Sequence, residues 1–156
     1  FLALLFAYLI VVPLFRSFRQ PVGMLIAFPP ALAGVVGLLY VTGTPLSIQA
    51  LMGSIMVVGI TVSYGNLLVD RINKLRTEGM SLEESLTEGS RQRLRPIIMT
   101  ALTTVLGLLP TAIGFGGSSI NEPLALAVIG GTSMAALLTL YVVPVGYRFF
   151  SKPELK

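Results

Sequence analysis

The chain has no cysteine and no histidine among its 156 residues. Without cysteine it has neither disulfides nor thiol chemistry. Without histidine it has no histidine-ligated metal site and no serine–histidine dyad. Charge is scarce too: Asp, Glu, Lys and Arg together make up 12% of the residues. The most informative absence is local. The long apolar stretches carry no Lys or Arg, and neither do the loops at 42–49 and 116–123.

What is present fits a bilayer. Hydrophobic residues make up 54% of the chain and mean hydropathy is +0.85, outside the usual range of soluble domains. All eleven basic residues fall in three tracts: Arg16 and Arg19; Arg71, Lys74, Arg76, Arg91, Arg93 and Arg95; Arg148, Lys152 and Lys156. If each apolar stretch crosses the membrane once, these tracts alternate with the loops that lack basic residues. Every positive charge then lies on one side, as the positive-inside rule requires. That side is the cytoplasm, with the N-terminal end outside and the tail 151–156 inside. The pI near 9.8 reflects bases at the ends of apolar segments, where anionic headgroups lie. The expected partner is therefore the lipid bilayer and not nucleic acid.

A helix needs about 20 residues to cross the hydrocarbon core. Five segments are expected to be membrane helices, at about 1–15, 22–41, 46–69, 96–115 and 124–150, giving an all-α membrane protein. The first is too short to span alone, and its start at Phe1 reads as a cut in a longer protein. The polar stretch 70–95 is expected to be a cytoplasmic connector. Within it, Ser81-Leu82-Glu83-Glu84 has the pattern of a capping box opening a short helix, and Pro96 suits the first turn of the next helix. Pro29-Pro30, Pro110 and Pro144 lie inside the spans, where each removes a backbone donor; packing shape and hinge are both open readings.

Two polar stripes stand out. Gly59, Ser63, Asn66 and Asp70 on the third helix recur at i, i+4, i+7 and i+11, which places them on one narrow face. Thr100, Thr104, Gly107 and Thr111 repeat that spacing on the fourth helix, with Thr103 beside them. Such faces either join helices closely or line a hydrated proton or ion path. Asp70, at the helix end beside Arg71, reads as an interfacial anchor. Small faces at Ala127, Gly131 and Ala135 and at Ala33 and Gly37 favour close packing. Tyr64 falls mid-span, off the polar stripe, and its hydroxyl needs a partner. No segment pairs an intramembrane acid with a base, so the main titrating carboxylates of any ion path lie elsewhere in the parent protein. No cofactor, metal site or catalytic residue is expected, and a hydrolase is disfavoured.

Three runs carry a family resemblance. The first is Thr42-Gly43-Thr44-Pro45-Leu46-Ser47-Ile48-Gln49-Ala50-Leu51-Met52-Gly53, with Gly59-Ile60 and Asn66-Leu67-Leu68-Val69-Asp70. The second is Arg93-Leu94-Arg95-Pro96-Ile97-Ile98-Met99-Thr100-Ala101, continuing to Gly107-Leu108-Leu109-Pro110. The third is Pro123-Leu124-Ala125-Leu126-Ala127-Val128-Ile129-Gly130-Gly131, ending at Val142-Val143-Pro144-Val145. Together they resemble the resistance–nodulation–division (RND) efflux permeases, in family order and over nearly the whole chain. The resemblance implies the eighth to twelfth helices of a twelve-helix bundle, most of its C-terminal half. It also implies a proton-driven antiporter of drugs or other toxic small molecules, working as a homotrimer in the bacterial inner membrane. Its partners would be the N-terminal half of the same permease, a periplasmic adaptor and an outer-membrane channel. A metal-ion exporter, or a non-exporting relative acting in protein or lipid translocation, is the alternative.

The resemblance implies proton-relay candidates residue by residue. Drug exporters carry a lysine on the third helix here and metal exporters a glutamate; that position is Ser63, which is neither. Arg93 matches the arginine before the fourth helix and Thr100 its hydroxyl. Asn66 joins them from the stripe.

Overall fold

The computed structural model describes Leu2, Leu5, Phe6 and Leu9, residues 28–115 and residues 120–150. Four helices follow in order: α1 Phe28–Val41, α2 Ile48–Thr77, α3 Leu82–Ala112 and α4 Glu122–Phe150. The four residues described before them are helical; the rest of the expected first helix and residues 22–27 lie outside the described part. Three helices are long and apolar enough to cross a membrane, at Ile48–Thr77, Leu82–Ala112 and Glu122–Val142, while α1 is a shorter apolar helix.

Local sequence sets the helix ends. Ser47 caps α2, its hydroxyl accepting from the Ala50 N–H at 3.3 Å. Lys74 and Arg76 occupy the last turn of α2, where cations suit the helix dipole. Gly79, at φ 92°, supplies the left-handed residue that reverses the chain. The capping box at Ser81 then forms as expected: Glu84 N–H donates to the Ser81 hydroxyl at 3.3 Å and Ser81 N–H to the Glu84 carboxylate at 3.2 Å.

The connector departs from expectation. α2 continues to Thr77, and α3 runs unbroken from Leu82 through Pro96 to Ala112. Residues 70–95 are thus the tip of one helical hairpin, and Pro96 lies inside α3 instead of in a first turn. Charge ends a membrane span but does not end a helix. At 1.5 Å per residue the 30 residues of α2 reach about 45 Å, roughly 15 Å beyond the hydrocarbon core. An apolar cluster of Leu68, Val69, Ile72 and Leu86 holds the two arms together. Gly89 lets them close, since a Cβ there would lie 2.8 Å from Ile72 Cγ1.

α4 is central and packs against the other three helices. The expected small face at Ala127, Gly131 and Ala135 is buried. Gly53 of α2 sits against Ala127 and Leu124, and Gly131 against Val57 of α2 and Val35 of α1. The other expected small face is misplaced. Ala33 and Gly37 are exposed, and α1 instead approaches α4 through Gly34, where a Cβ would lie 2.5 Å from the Gly130 carbonyl oxygen. Two glycines facing each other bring the backbones closest, and that pairing, set by the partner helix, chooses the face.

These contacts fix the threading. Gly53 near Ala127 and Val57 near Gly131 make α2 and α4 parallel. Gly34 against Met134 with Leu38 against Gly130, and Tyr64 against Thr100 with Ile72 against Gly89, make α1 antiparallel to α4 and α3 antiparallel to α2. The basic hairpin 70–95 and the end of α4 therefore share one side of the molecule. The loop 42–47 and the described residues 113–115 and 120–121 share the other.

Candidate functional site

Both polar stripes lie largely on surface that no described helix covers. Ser63 and Gly59 of α2 are exposed, as are Thr100, Thr103 and Gly107 of α3. No atom lies within 4 Å of where a Cβ would stand at Gly59 or Gly107. Apolar neighbours on this side of α3 are uncovered too, Met99 and Leu106 among them. The stripes are therefore not inside the bundle formed by the described helices.

The α3 stripe reaches α2 at Tyr64, which lies off the α2 stripe. The Thr100 hydroxyl lies 3.4 Å from the Tyr64 hydroxyl across the α2–α3 interface, and 3.0 Å from both the Pro96 and the Ile97 carbonyls. Tyr64 is buried, so its hydroxyl has the partner that burial demands. With one proton and two lone pairs, the Thr100 hydroxyl exchanges between its own helix and a neighbour without leaving any group charged. Thr103 and Thr104 donate to the carbonyls of Met99 and Thr100, four residues back.

The other candidates are less satisfied. Asn66 and Arg93 are half-buried. Asn66 Oδ1 and Arg93 Nε are each shielded from solvent without a hydrogen-bond partner. A buried polar atom of this kind is costly unless something further meets it. Ser63 faces open space one helical turn from Gly59. Asp70 is exposed. Its neighbour Arg71 donates from Nε to Gln92 Oε1 at 2.5 Å, and Gln92 in turn donates to Glu88 at 2.9 Å. That chain ties the hairpin arms together near the polar tip. An open groove of about 630 Å³, lined by Met80, Glu83, Glu84, Thr87, Glu88 and Gln92, lies on the hairpin away from the stripes. Among the described residues no three Asp, Glu, His or Cys side chains converge on a metal-sized site. Sequence reading missed Thr132 and Thr139 of α4, both fully buried. Their only signal is a seven-residue spacing within an otherwise apolar helix.

Residues 1–151 match the family model described as the AcrB/AcrD/AcrF family. The chain belongs to this family of RND permeases. It is 39% identical over 152 residues to the swarming motility protein SwrC of Bacillus subtilis, covering 96% of the chain and 14% of that protein. It is 38% identical over 153 residues to the cobalt-zinc-cadmium resistance protein CzcA of Cupriavidus metallidurans, covering 97% of the chain and 14% of the relative. Against the multidrug resistance protein MdtC of Erwinia tasmaniensis it is 36% identical over 147 residues, 93% of the chain and 14% of the relative. A crystal structure of a heavy metal efflux pump superposes with a TM-score of 0.82 at 32% identity, covering 94% of this chain and 14% of that one. The chain thus spans about one-seventh of the RND permeases that it matches. Both drug and metal exporters are among its relatives, and the family is one of membrane efflux transporters.

Proposed function

We propose that this chain supplies the eighth to twelfth helices of a proton-driven RND exporter, a transporter and not an enzyme. In this reading the hairpin 70–95 is cytoplasmic and the open stripe face meets the N-terminal half of the same permease. The assembly is a homotrimer in the bacterial inner membrane, completed by a periplasmic adaptor and an outer-membrane channel. The observation that carries the reading is the Thr100–Tyr64 junction on the uncovered face. In an RND permease that face needs a partner, and it holds hydroxyls in reach of one another with no fixed charge mid-membrane.

The chemistry follows from what the residues can do. Thr100 both donates and accepts, so it can pass a proton between waters or to a carboxylate from the facing half. Arg93, just before that turn, offers a fixed positive charge and an unpartnered Nε. It would hold a facing carboxylate ionised until a proton arrives. Asn66 Oδ1, unpartnered within this chain, is open to a hydrogen bond donated by the facing half. Because Ser63 is uncharged, no ion pair is made at that position, and the protonation switch rests with carboxylates outside this chain. Drugs or other toxic small molecules are the proposed substrates. A divalent metal cargo is the second reading, favoured by the likeness to CzcA and to the heavy metal pump.

The test is export driven by an imposed pH gradient, normalised to the amount of protein in the membrane. Thr100→Ala is expected to slow export roughly ten- to a hundred-fold, up to the lower end of what loss of a positioned proton-transfer group costs. Membrane insertion should be unchanged. Wild-type rates in both Thr100→Ala and Ser63→Ala would show that these helices are scaffold. Running the assay with cobalt, zinc and cadmium beside a panel of drugs separates the two substrate readings.

A further inference from the structure

Most hydroxyls on α2 and α3 are satisfied by their own helix. Thr61, Ser85, Ser90, Thr103 and Thr104 each donate to the carbonyl four residues back at 2.7–2.9 Å. Thr132 and Thr139 of α4 do not. Both are fully buried, at 0% exposure, and neither Oγ1 has a hydrogen-bond partner.

Their place on α4 follows from its contacts. Gly130 meets α1 at Gly34 and Leu38, and Gly131 meets Val57 of α2 and Val35 of α1. Each residue is turned about 100° from the one before it. Ala125, Val128, Thr132, Ala136 and Thr139 therefore form a separate stripe, and all five are buried. Among the described helices that side is left for α3, which also packs on α4. Valine has nearly the shape of threonine and no polar atom, so a dry seam gains nothing from a hydroxyl and bears its uncompensated desolvation. Water is the molecule small enough to satisfy a closed polar site of this kind. Beside Thr139, the Leu140 carbonyl loses its usual helical donor because Pro144, four residues on, has no N–H. A water there has a second group to bind. At 1.5 Å per residue the two hydroxyls are about 10 Å apart along the helix, too far for one water to bridge.

We propose that Thr132 and Thr139 each hold an ordered internal water in the α3–α4 seam, distinct from the exposed stripes of α2 and α3. The proposal concerns hydration of the fold and does not rest on proton coupling. The test is a structure of the protein in lipid at a resolution that shows ordered water, with the T132V/T139V variant solved alongside. The expected result is water density within hydrogen-bonding distance of each hydroxyl, lost in the variant while the helices stay in place. Either hydroxyl turned back onto its own helix, Thr132 onto Val128 or Thr139 onto Ala135, with no water beside it, overturns the proposal. Density that persists unchanged in the variant overturns it as well, because other groups then hold the water. If the double variant fails to fold, T139V alone is read in the same way, and the wild-type map by itself decides the first outcome.

Discussion

Replacing Gly131 by alanine adds one methyl group where three helices meet. A Cβ at that position would lie 2.5 Å from both Cγ atoms of Val57 and 2.8 Å from Cγ2 of Val35. That is roughly 1 Å inside the separation at which carbon atoms attract. Val57 and Val35 are almost fully buried and belong to different helices. Both are β-branched and hold one χ1 rotamer in a helix, so neither turns aside without displacing its backbone. Overpacking of this kind costs roughly 1–3 kcal/mol. In a bilayer the loss falls on the term that holds helices together, because association there rests on packing more than on exclusion of water.

A double-mutant cycle isolates the clash. Val57→Ala alone removes buried methyl groups and is expected to cost about 1–2 kcal/mol. In Gly131→Ala/Val57→Ala the new methyl occupies vacated space. The double variant should then be more stable than the sum of the two losses by about 1 kcal/mol or more. The assay is thermal unfolding of the four proteins in nanodiscs. Strict additivity would refute the close approach of α2 and α4. So would a Gly131→Ala protein as stable as Gly37→Ala, since nothing lies within 4 Å of a Cβ at Gly37.

Other expectations follow from the same geometry. Single cysteines at Asn121 and Thr77, introduced into a chain that has none, should label from opposite sides of the membrane: Asn121 with an impermeant reagent from outside, and Thr77 only after permeabilisation. Gly107→Ala should lower thermal stability in the assembled protein although no atom of this chain is near; a neutral or stabilising effect would leave the stripe face facing lipid or water. Ser81→Ala should weaken the hairpin by about 1 kcal/mol, as loss of an N-cap does, read by hydrogen exchange at the amides of 81–85. The Glu84 carboxyl is held below the usual carboxylate range, first by the Ser81 hydroxyl and then by its N–H. A glutamate depressed in the folded state contributes stability that is full above its unfolded value of about 4.3 and is lost as pH falls through the lower folded value. Exchange at 81–85, corrected for its intrinsic rate, should stay flat above about pH 5 and rise on further acidification.

Features that depend on few neighbouring residues were legible from the sequence. The capping box needs only Ser81 and Glu84, and it is there. The alternation of basic segments with segments free of Lys and Arg needs only a count of crossings, and among the described residues the helix contacts place the basic hairpin 70–95 at the opposite end from the loop 42–47. The small face of α4 was legible because Ala127, Gly131 and Ala135 leave one side of an otherwise bulky helix open. α1 defeated the same reasoning. It carries Ala31, Ala33, Gly34 and Gly37 on several sides, and only Gly130 of α4 decides that Gly34 is the one used. The length of α3 was illegible for another reason. A change from apolar to polar composition marks where a helix leaves the membrane, whereas its end is marked by caps. Ser81 and Gly114 supply those, the latter at φ 74°, and Pro96 does not.

The candidate site divides its polar groups by how far each depends on a partner. Thr100, Thr103 and Thr104 donate to carbonyls of their own helix, so exposing them on an apolar surface leaves no donor unmet. They are free to exchange that internal bond for an external one at little cost. Asn66 Oδ1 and Arg93 Nε have no such bond to fall back on. A water or another donor from outside this chain would therefore gain most by meeting Asn66 Oδ1, and a water or a carboxylate by meeting Arg93 Nε, and the hydroxyls would then relay along α3. That ordering separates anchor from relay. Removing Arg93 takes away a charge and, unlike its exposed neighbours Arg91 and Arg95, a buried unpartnered donor, so Arg93→Gln should shift the pH at which export is half-maximal. Thr100→Ala should lower the rate at every pH and leave that midpoint in place. A midpoint that moves with Thr100 and not with Arg93 would reverse the two roles.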